Sequence, residues 1–221
     1  MNWSTPETVA GFATSPPNAA LMQFAEIERA GRGTARVLDI GCGAARNSVP
    51  LALSGWEVFG TDNSRPMLEA AARRRDAHGL AGRIHLAEAP MSALPVRDSS
   101  MDLVVAHGIW NLAASSDELR KAIREAARAA RPGAALFVFT FSRNTLPPSA
   151  EPVESEVFVF TQFAGEPQCF LTAEQLGAEL GAVGFVPDGG VQLRELNRPT
   201  GQFQRTSGPV IWEGVFRMVS E

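Results

Sequence analysis

Short apolar runs alternate with stretches of helical periodicity between residues 36 and 141. Arg36-Val37-Leu38-Asp39-Ile40, Trp56-Glu57-Val58-Phe59-Gly60-Thr61, residues 83–88, Met101-Asp102-Leu103-Val104-Val105-Ala106 and residues 134–141 read as buried strands. Helices are expected between them, over 47–53, from Ser64 onward and over 115–130. In the last, Ser115-x-x-Glu118 is a capping box. Leu119, Ile123, Ala126, Ala127 and Ala130 then line one face, while Arg120, Lys121, Arg124 and Arg128 line the other. Strand and helix in alternation, with strands apolar throughout, predict an α/β fold doubly wound on a mostly parallel sheet.

The flanks read differently. Thr5-Pro6-Glu7 is a helix cap with proline in the first turn, and Asn18 caps a second helix. Leu21, Phe24 and Ile27 share that helix's core-facing side, and Gly31 and Gly33 end it. Residues 142–171 break with the pattern, through Pro147, Pro148, Pro152 and Pro167 and the acids Glu151, Glu154 and Glu156. Val157-Phe158-Val159-Phe160 is an extended segment within this stretch, and the whole reads as a lid or substrate-facing insertion. Thr172-x-x-Gln175 caps a further helix carrying Leu176, Leu180 and Val183 and ending at Gly184. Residues 191–196 and 209–219 form an antiparallel C-terminal hairpin across the polar loop 197–208. A single domain over 1–221 is expected, with a helical cap (1–34), a core (35–141), the insertion (142–171) and a closing helix and hairpin (172–221).

Composition narrows the partners. A chain of 221 residues, 45% apolar and 20% charged, suits one globular domain. A net charge of −4 argues against a nucleic-acid surface. Two cysteines, Cys42 and Cys169, make neither a disulfide framework nor a metal set, which points to a reducing compartment. With no apolar run of membrane-spanning length and no basic-then-apolar start, no membrane partner is expected and the cytoplasm is the expected location. Tyrosine is absent, which removes one common general base.

Chemistry concentrates in the stretch Asp39-Ile40-Gly41-Cys42-Gly43-Ala44-Ala45-Arg46-Asn47, a strand end, a tight turn and a helix start. Such turns cradle nucleotide-like ligands. A dinucleotide site wants Gly-x-Gly-x-x-Gly, and Arg46 stands at its third glycine. An acid two places before the first glycine suits a ligand with a positive amino group, held by a charge-assisted hydrogen bond. Asp62, at the tip of the second strand, lies about 20 residues on, where a carboxylate accepts from ribose hydroxyls. Its alternative role is a plain cap.

Asp39, Gly41 and Gly43, with Cys42 inside the turn and Ala45 at the last glycine place, resemble the first motif of class I S-adenosylmethionine-dependent methyltransferases, acid-x-Gly-x-Gly-x-Gly. The resemblance implies a Rossmann-like methyltransferase fold, a seven-stranded sheet closed by the C-terminal hairpin, with S-adenosyl-L-methionine as cofactor. The implied reaction is metal-independent transfer of a methyl group to a small molecule. It also puts Asn63 and Met67 near adenine or ribose, although Met67 suits a core equally. Pro90 stands where relatives carry an acid for the adenine amine, leaving the Met91 N–H and thioether for the ring. The backbone at Ala106 and His107 would hold the methionine amine, and Trp3, Phe12 and Asn18 would fold over the donor.

Arg46-Asn47 resembles a Gly-Arg-Asn variant of small-molecule members, in which Arg46 meets the methionine carboxylate or an anionic substrate. A surface salt bridge is the alternative. His107, just past the fourth strand, is the expected general base. Trp110 either walls the substrate or packs against the lid, and Asn111 either bonds the substrate or caps its loop. Arg143, at the start of the insertion, is grouped with these substrate-facing residues. Metal-dependent members need acids where this chain offers only Asn111 and Asn144, so no metal is expected. Base-modifying amino methyltransferases are set aside by Ala106-His107-Gly108-Ile109-Trp110. Two other classes stay open: a donor-binding sensor or partner subunit without transfer activity, and a nicotinamide oxidoreductase, which Arg46 disfavours.

Overall fold

The computed structural model describes residues 5–33, 35–198 and 208–219. Trp3 and most of the loop 197–208 lie outside them. In chain order the elements are α1 (Pro6–Thr14), α2 (Ala19–Ala30), β1 (Arg36–Ile40), α3 (Ser48–Leu53), β2 (Glu57–Asp62), α4 (Arg65–Ala77), β3 (Ile84–Glu88) and β4 (Met101–His107). Then follow α5 (Ser116–Ala129), β5 (Ala130–Phe141), β6 (Val159–Phe160), β7 (Gln168–Cys169), α6 (Ala173–Gly181), β8 (Phe185–Pro187), β9 (Arg194–Leu196) and β10 (Ile211–Met218). Caps form where expected: Thr5, Asn18, Ser115 and Thr172 each accept a backbone N–H three residues on.

The main sheet runs β3-β2-β1-β4-β5-β10-β8. β1 to β5 pair parallel, and β10 is antiparallel to β5 and β8. This is the doubly wound, mostly parallel seven-strand path, with an eighth short strand, β9, paired antiparallel to β10. The expected hairpin is therefore split. One long strand carries two short partners, β9 against residues 211–213 and β8 against 216–218. Gly214 sits at the break. A Cβ there would stand 2.7 Å from Leu193 Cα, so only glycine lets the connecting chain cross so closely. β8 itself has no sequence signal, because three residues carry too little pattern to read.

Side chains alternate across the sheet and feed two cores. Leu38, Val104, Leu136 and Val138 join α5 and α6 on one face, while Val37, Leu103, Val105 and Phe137 join α2 and α3 on the other. Ile27 departs from expectation. Leu21, Phe24 and Ala25 are buried, yet Ile27 is 71% exposed, because the core stripe of α2 turns through 21, 24 and 25 and leaves 27 outside. Parts of the insertion are packed into the molecule. Phe158, Val159, Cys169 and Leu171 enter the α5 core, and Phe160, Phe170 and Leu146 form a small core of their own with Phe141.

Ala45 holds a left-handed backbone, φ +61°, at the place where the motif carries glycine. That conformation costs an L residue roughly 1–2 kcal/mol, against about 0.8 kcal/mol for its buried methyl. Ala45→Gly is therefore expected to leave stability within about 0.5 kcal/mol, since glycine's extra chain entropy takes up what remains. Ala122→Gly, fully buried within α5, is expected to cost about 1–2 kcal/mol. Urea denaturation of the two variants tests the contrast.

Candidate functional site

The strand order reverses between β1 and β4, since β1 is followed outward by β2 and β4 by β5. Parallel sheets leave a crevice at the carboxyl ends of the strands at such a point. A cavity of about 500 Å³ opens there. Its floor is the glycine turn after β1, its walls are Asp62 and the loop after β4, and Phe12 and Pro16–Asn18 from the leading segment line its remaining side.

The turn needs its glycines. Gly41 has φ +68° and Gly43 φ +52°. A Cβ on Gly41 would lie 2.7 Å from Ile109 Cδ1, so the turn and the 107–112 loop close on each other only without a side chain there. Asp62 braces the turn from β2. Its Oδ2 accepts the Gly43 N–H at 2.9 Å and its Oδ1 the Ser64 N–H at 2.8 Å. Burial raises its pKa, opposed by these backbone hydrogen bonds.

Asp39 is almost fully buried at the end of β1 and accepts a 2.6 Å hydrogen bond from Ser48 Oγ. Burial pushes its carboxyl up to about 6, and the neighbouring Asp62 adds to the rise, while Ser48 and Arg46 oppose it. Two partly desolvated acids thus face one cavity. The Cys42 thiol between them is pushed well up by burial and the same two acids, so it is an inert thiol. Such an end of a pocket favours a ligand that brings a cation and hydroxyl donors.

The opposite charge comes from Arg46, half-buried in the wall, with its guanidinium 5.9 Å from the centre of the Phe12 ring. Burial lowers its pKa and Asp39 supports it. Its NH2 lies 3.1 Å from His107 Nδ1, while Asn18 Nδ2 lies 3.2 Å from His107 Nε2. The imidazole stacks on Phe139, 4.1 Å between centres and 7° from parallel. Burial first, then Arg46, pushes His107 down to about 4, so the ring is neutral at pH 7. With a donor against each nitrogen, neither is open to a substrate proton, which weighs against the expected general base.

Of the residues read from the sequence, Asp39, Gly41, Cys42, Gly43, Arg46, Asp62, Asn63, Met67, His107 and Asn111 line the cavity, together with Phe12 and Asn18. Others do not. Ala106 is fully buried in β4 beneath His107, leaving only its backbone for a ligand. Met91 turns into the α5 core and Pro90 is exposed, so neither side chain reaches the cavity. Trp110 is fully buried in the same core as Phe158 and Val159 of the insertion, which agrees with the second of its two expected roles, packing against that segment.

Arg143 also leaves the set. It donates to the carbonyls of Leu146, Pro147, Pro148 and Ala150 and covers the Phe160 ring at 4.8 Å, so it clips the insertion together. No lining residue of the cavity falls within 142–171. Phe139 and Phe141 line the cavity without having been expected to. Their signal is spacing: two rings two apart at the carboxyl end of a strand emerge on one face. Glu213 is a further addition, since an acid inside the apolar run Ile211-Trp212-Glu213-Gly214-Val215 asks for a buried partner.

Residues 37–133 match a protein family described as a methyltransferase domain. The demethylmenaquinone methyltransferase of Renibacterium salmoninarum is 36% identical over 115 residues, 51% of this chain and 44% of that relative. A malonyl-[acyl-carrier protein] O-methyltransferase of Enterobacter lignolyticus is 36% identical over 118 residues, 52% of this chain and 43% of that protein. The match thus spans less than half the length of either relative. Among solved structures, an S-adenosylmethionine-dependent methyltransferase of Methanosarcina mazei superposes with a TM-score of 0.69 at 20% identity, covering 94% of this chain and 100% of that one. That likeness concerns the fold.

Proposed function

We infer that this chain, whose residues 37–133 match the methyltransferase-domain family, is a class I methyltransferase that binds S-adenosylmethionine and methylates a small molecule without a metal. One observation carries the reading: Asp39 and Asp62 flank a glycine turn at the sheet's switch point, both raised by burial and both lining one cavity. A nucleoside that carries an ammonium group and a ribose diol answers both acids. A dinucleotide does not, because its third glycine is replaced by Arg46, whose side chain lines the cavity.

The donor supplies an activated methyl group on sulfur. The chain's part is alignment and exclusion of water. Asp39 attracts the ammonium, Asp62 accepts from the ribose hydroxyls, and the backbone around Ala106 and His107 offers its carbonyls to the amine. Phe12, Phe139 and Phe141 supply the apolar surface that a small acceptor lies on, with the Asn111 amide to orient it; Asn111 Oδ1 is buried without a hydrogen-bond partner. Orientation of this kind contributes up to about 7–11 kcal/mol to a transfer that needs no enzyme-bound intermediate.

Isothermal titration with S-adenosylmethionine, S-adenosylhomocysteine and NAD tests the ligand. We expect the two sulfur nucleosides to bind and NAD not to. Incubation with methyl-labelled donor and a metabolite extract tests the transfer, with label expected in a small-molecule fraction. Binding without any labelled product would identify a donor sensor instead.

A further inference from the structure

His107 meets a nitrogen donor on each side, Asn18 Nδ2 at Nε2 and Arg46 NH2 at Nδ1. A neutral imidazole has one N–H and one acceptor nitrogen, so only one of the two contacts is a hydrogen bond. Asn18 decides which. Its Oδ1 accepts the Leu21 N–H at 2.9 Å as the cap of α2, and this settles which end of the amide is oxygen. Its Nδ2 donates one proton to Glu213 Oε2 at 2.8 Å, leaving the other for His107 Nε2. Glu213 is 4% exposed and its other oxygen is held by Arg194. Turning the amide over would strip the cap from α2 and a donor from a buried carboxylate. Arg46 is less constrained, since among the described residues no carboxylate lies within salt-bridge distance of it.

We propose that Glu213 is a positioning residue: through Asn18 it keeps His107 Nε2 as the acceptor and the proton on Nδ1, aimed at the Arg46 guanidinium. His107 then acts as a hydrogen-bond donor to a ligand and not as a base. The two donors 3.1 Å apart oppose each other in the free protein. An anionic oxygen entering between them satisfies both, so Arg46 and His107 together form a carboxylate clamp. The identity of that ligand rests on the methyltransferase reading; the tautomer does not.

Long-range proton–nitrogen-15 spectra of the free protein at pH 7, in a His78→Gln, His85→Gln background, test the tautomer directly. We expect Nδ1 protonated and Nε2 bare. Asn18→Ser keeps a helix cap but removes the amide, which lets Arg46 donate and moves the proton to Nε2. Glu213→Gln is expected to give a mixture of both forms. A proton on Nε2 in the parent overturns the proposal, and a parent-like spectrum from Glu213→Gln removes Glu213 from the relay. Two probes locate the anion. S-adenosylhomocysteine against its decarboxylated analogue reads a donor carboxylate, and benzoate added to the S-adenosylhomocysteine complex reads an acceptor carboxylate. Asn18→Ser is expected to weaken one carboxylate probe more than tenfold. No change in either overturns the clamp, whereas failure of S-adenosylhomocysteine to bind the parent, with the tautomer as stated, would fault the methyltransferase reading alone.

Discussion

Asp62→Ala is expected to lower the affinity for S-adenosylhomocysteine by about a hundredfold. The carboxylate would lose two hydroxyl donors of the ligand at about 1–3 kcal/mol for each such charged hydrogen bond. It also accepts the Gly43 and Ser64 N–H groups, so its removal loosens the turn that forms the floor. Asp62→Asn does not rescue, because an amide NH2 in place of one carboxylate oxygen is a donor and cannot accept the backbone N–H that it faces. Isothermal titration of both variants measures the effect. Parent-like affinity in Asp62→Ala would reduce Asp62 to a cap of the turn.

The second large effect separates stability from binding. Asp39→Asn is expected to stabilise the free protein at pH 7.5 while weakening donor binding at least tenfold. The sign follows from the raised pKa. Folded Asp39 titrates at about 6, above an unfolded aspartate near 3.9. Its contribution is therefore complete below about pH 4 and is lost as pH rises through 6. Asparagine has no such loss, so the variant should gain about 1–3 kcal/mol at pH 7.5, and nothing at pH 4. At roughly 2–4 °C per kcal/mol the gain is visible as a shift in Tm.

His107 works in the opposite sense. Its folded pKa of about 4 lies below the ordinary 6.5, so its contribution falls as pH drops from 6.5 through 4. Both proteins share this term, and the difference between their melting curves isolates Asp39. Binding should follow the other direction: affinity of the parent for the ammonium of S-adenosylhomocysteine rises between pH 5 and 7, and that of Asp39→Asn stays flat. A variant that binds as the parent does at pH 7.5 would show that the ammonium lies elsewhere.

Chemistry written in adjacent residues is legible from the chain alone. The strands from Arg36 to Phe141, the caps at Thr5, Asn18, Ser115 and Thr172, and the turn with Asp39, Gly41 and Gly43 each depend on spacing within a few positions, and spacing is what a sequence displays. Asp62 follows because a single strand and helix separate it from the turn. Phe12 and Asn18 of the leading segment also line the cavity.

What a sequence hides depends on distance in the chain. Arg143 has the right residue type at the right loop end, but carbonyls of the insertion claim it, and of the two roles open to Trp110 its burial with Phe158 and Val159 favours packing against the insertion. Ile27 lies outside the core because a periodic face is wider than the stripe a particular core covers. The state of His107 is decided by Asn18, 89 positions away, and in turn by Glu213, 195 positions beyond Asn18. The sequence by itself determined a doubly wound sheet with a glycine turn between two acids, since backbone conformation and periodicity are local. Only the tertiary structure decided which of the nearby side chains face the cavity and where the imidazole's proton sits, because burial and hydrogen-bond partners are set by elements that meet only on folding.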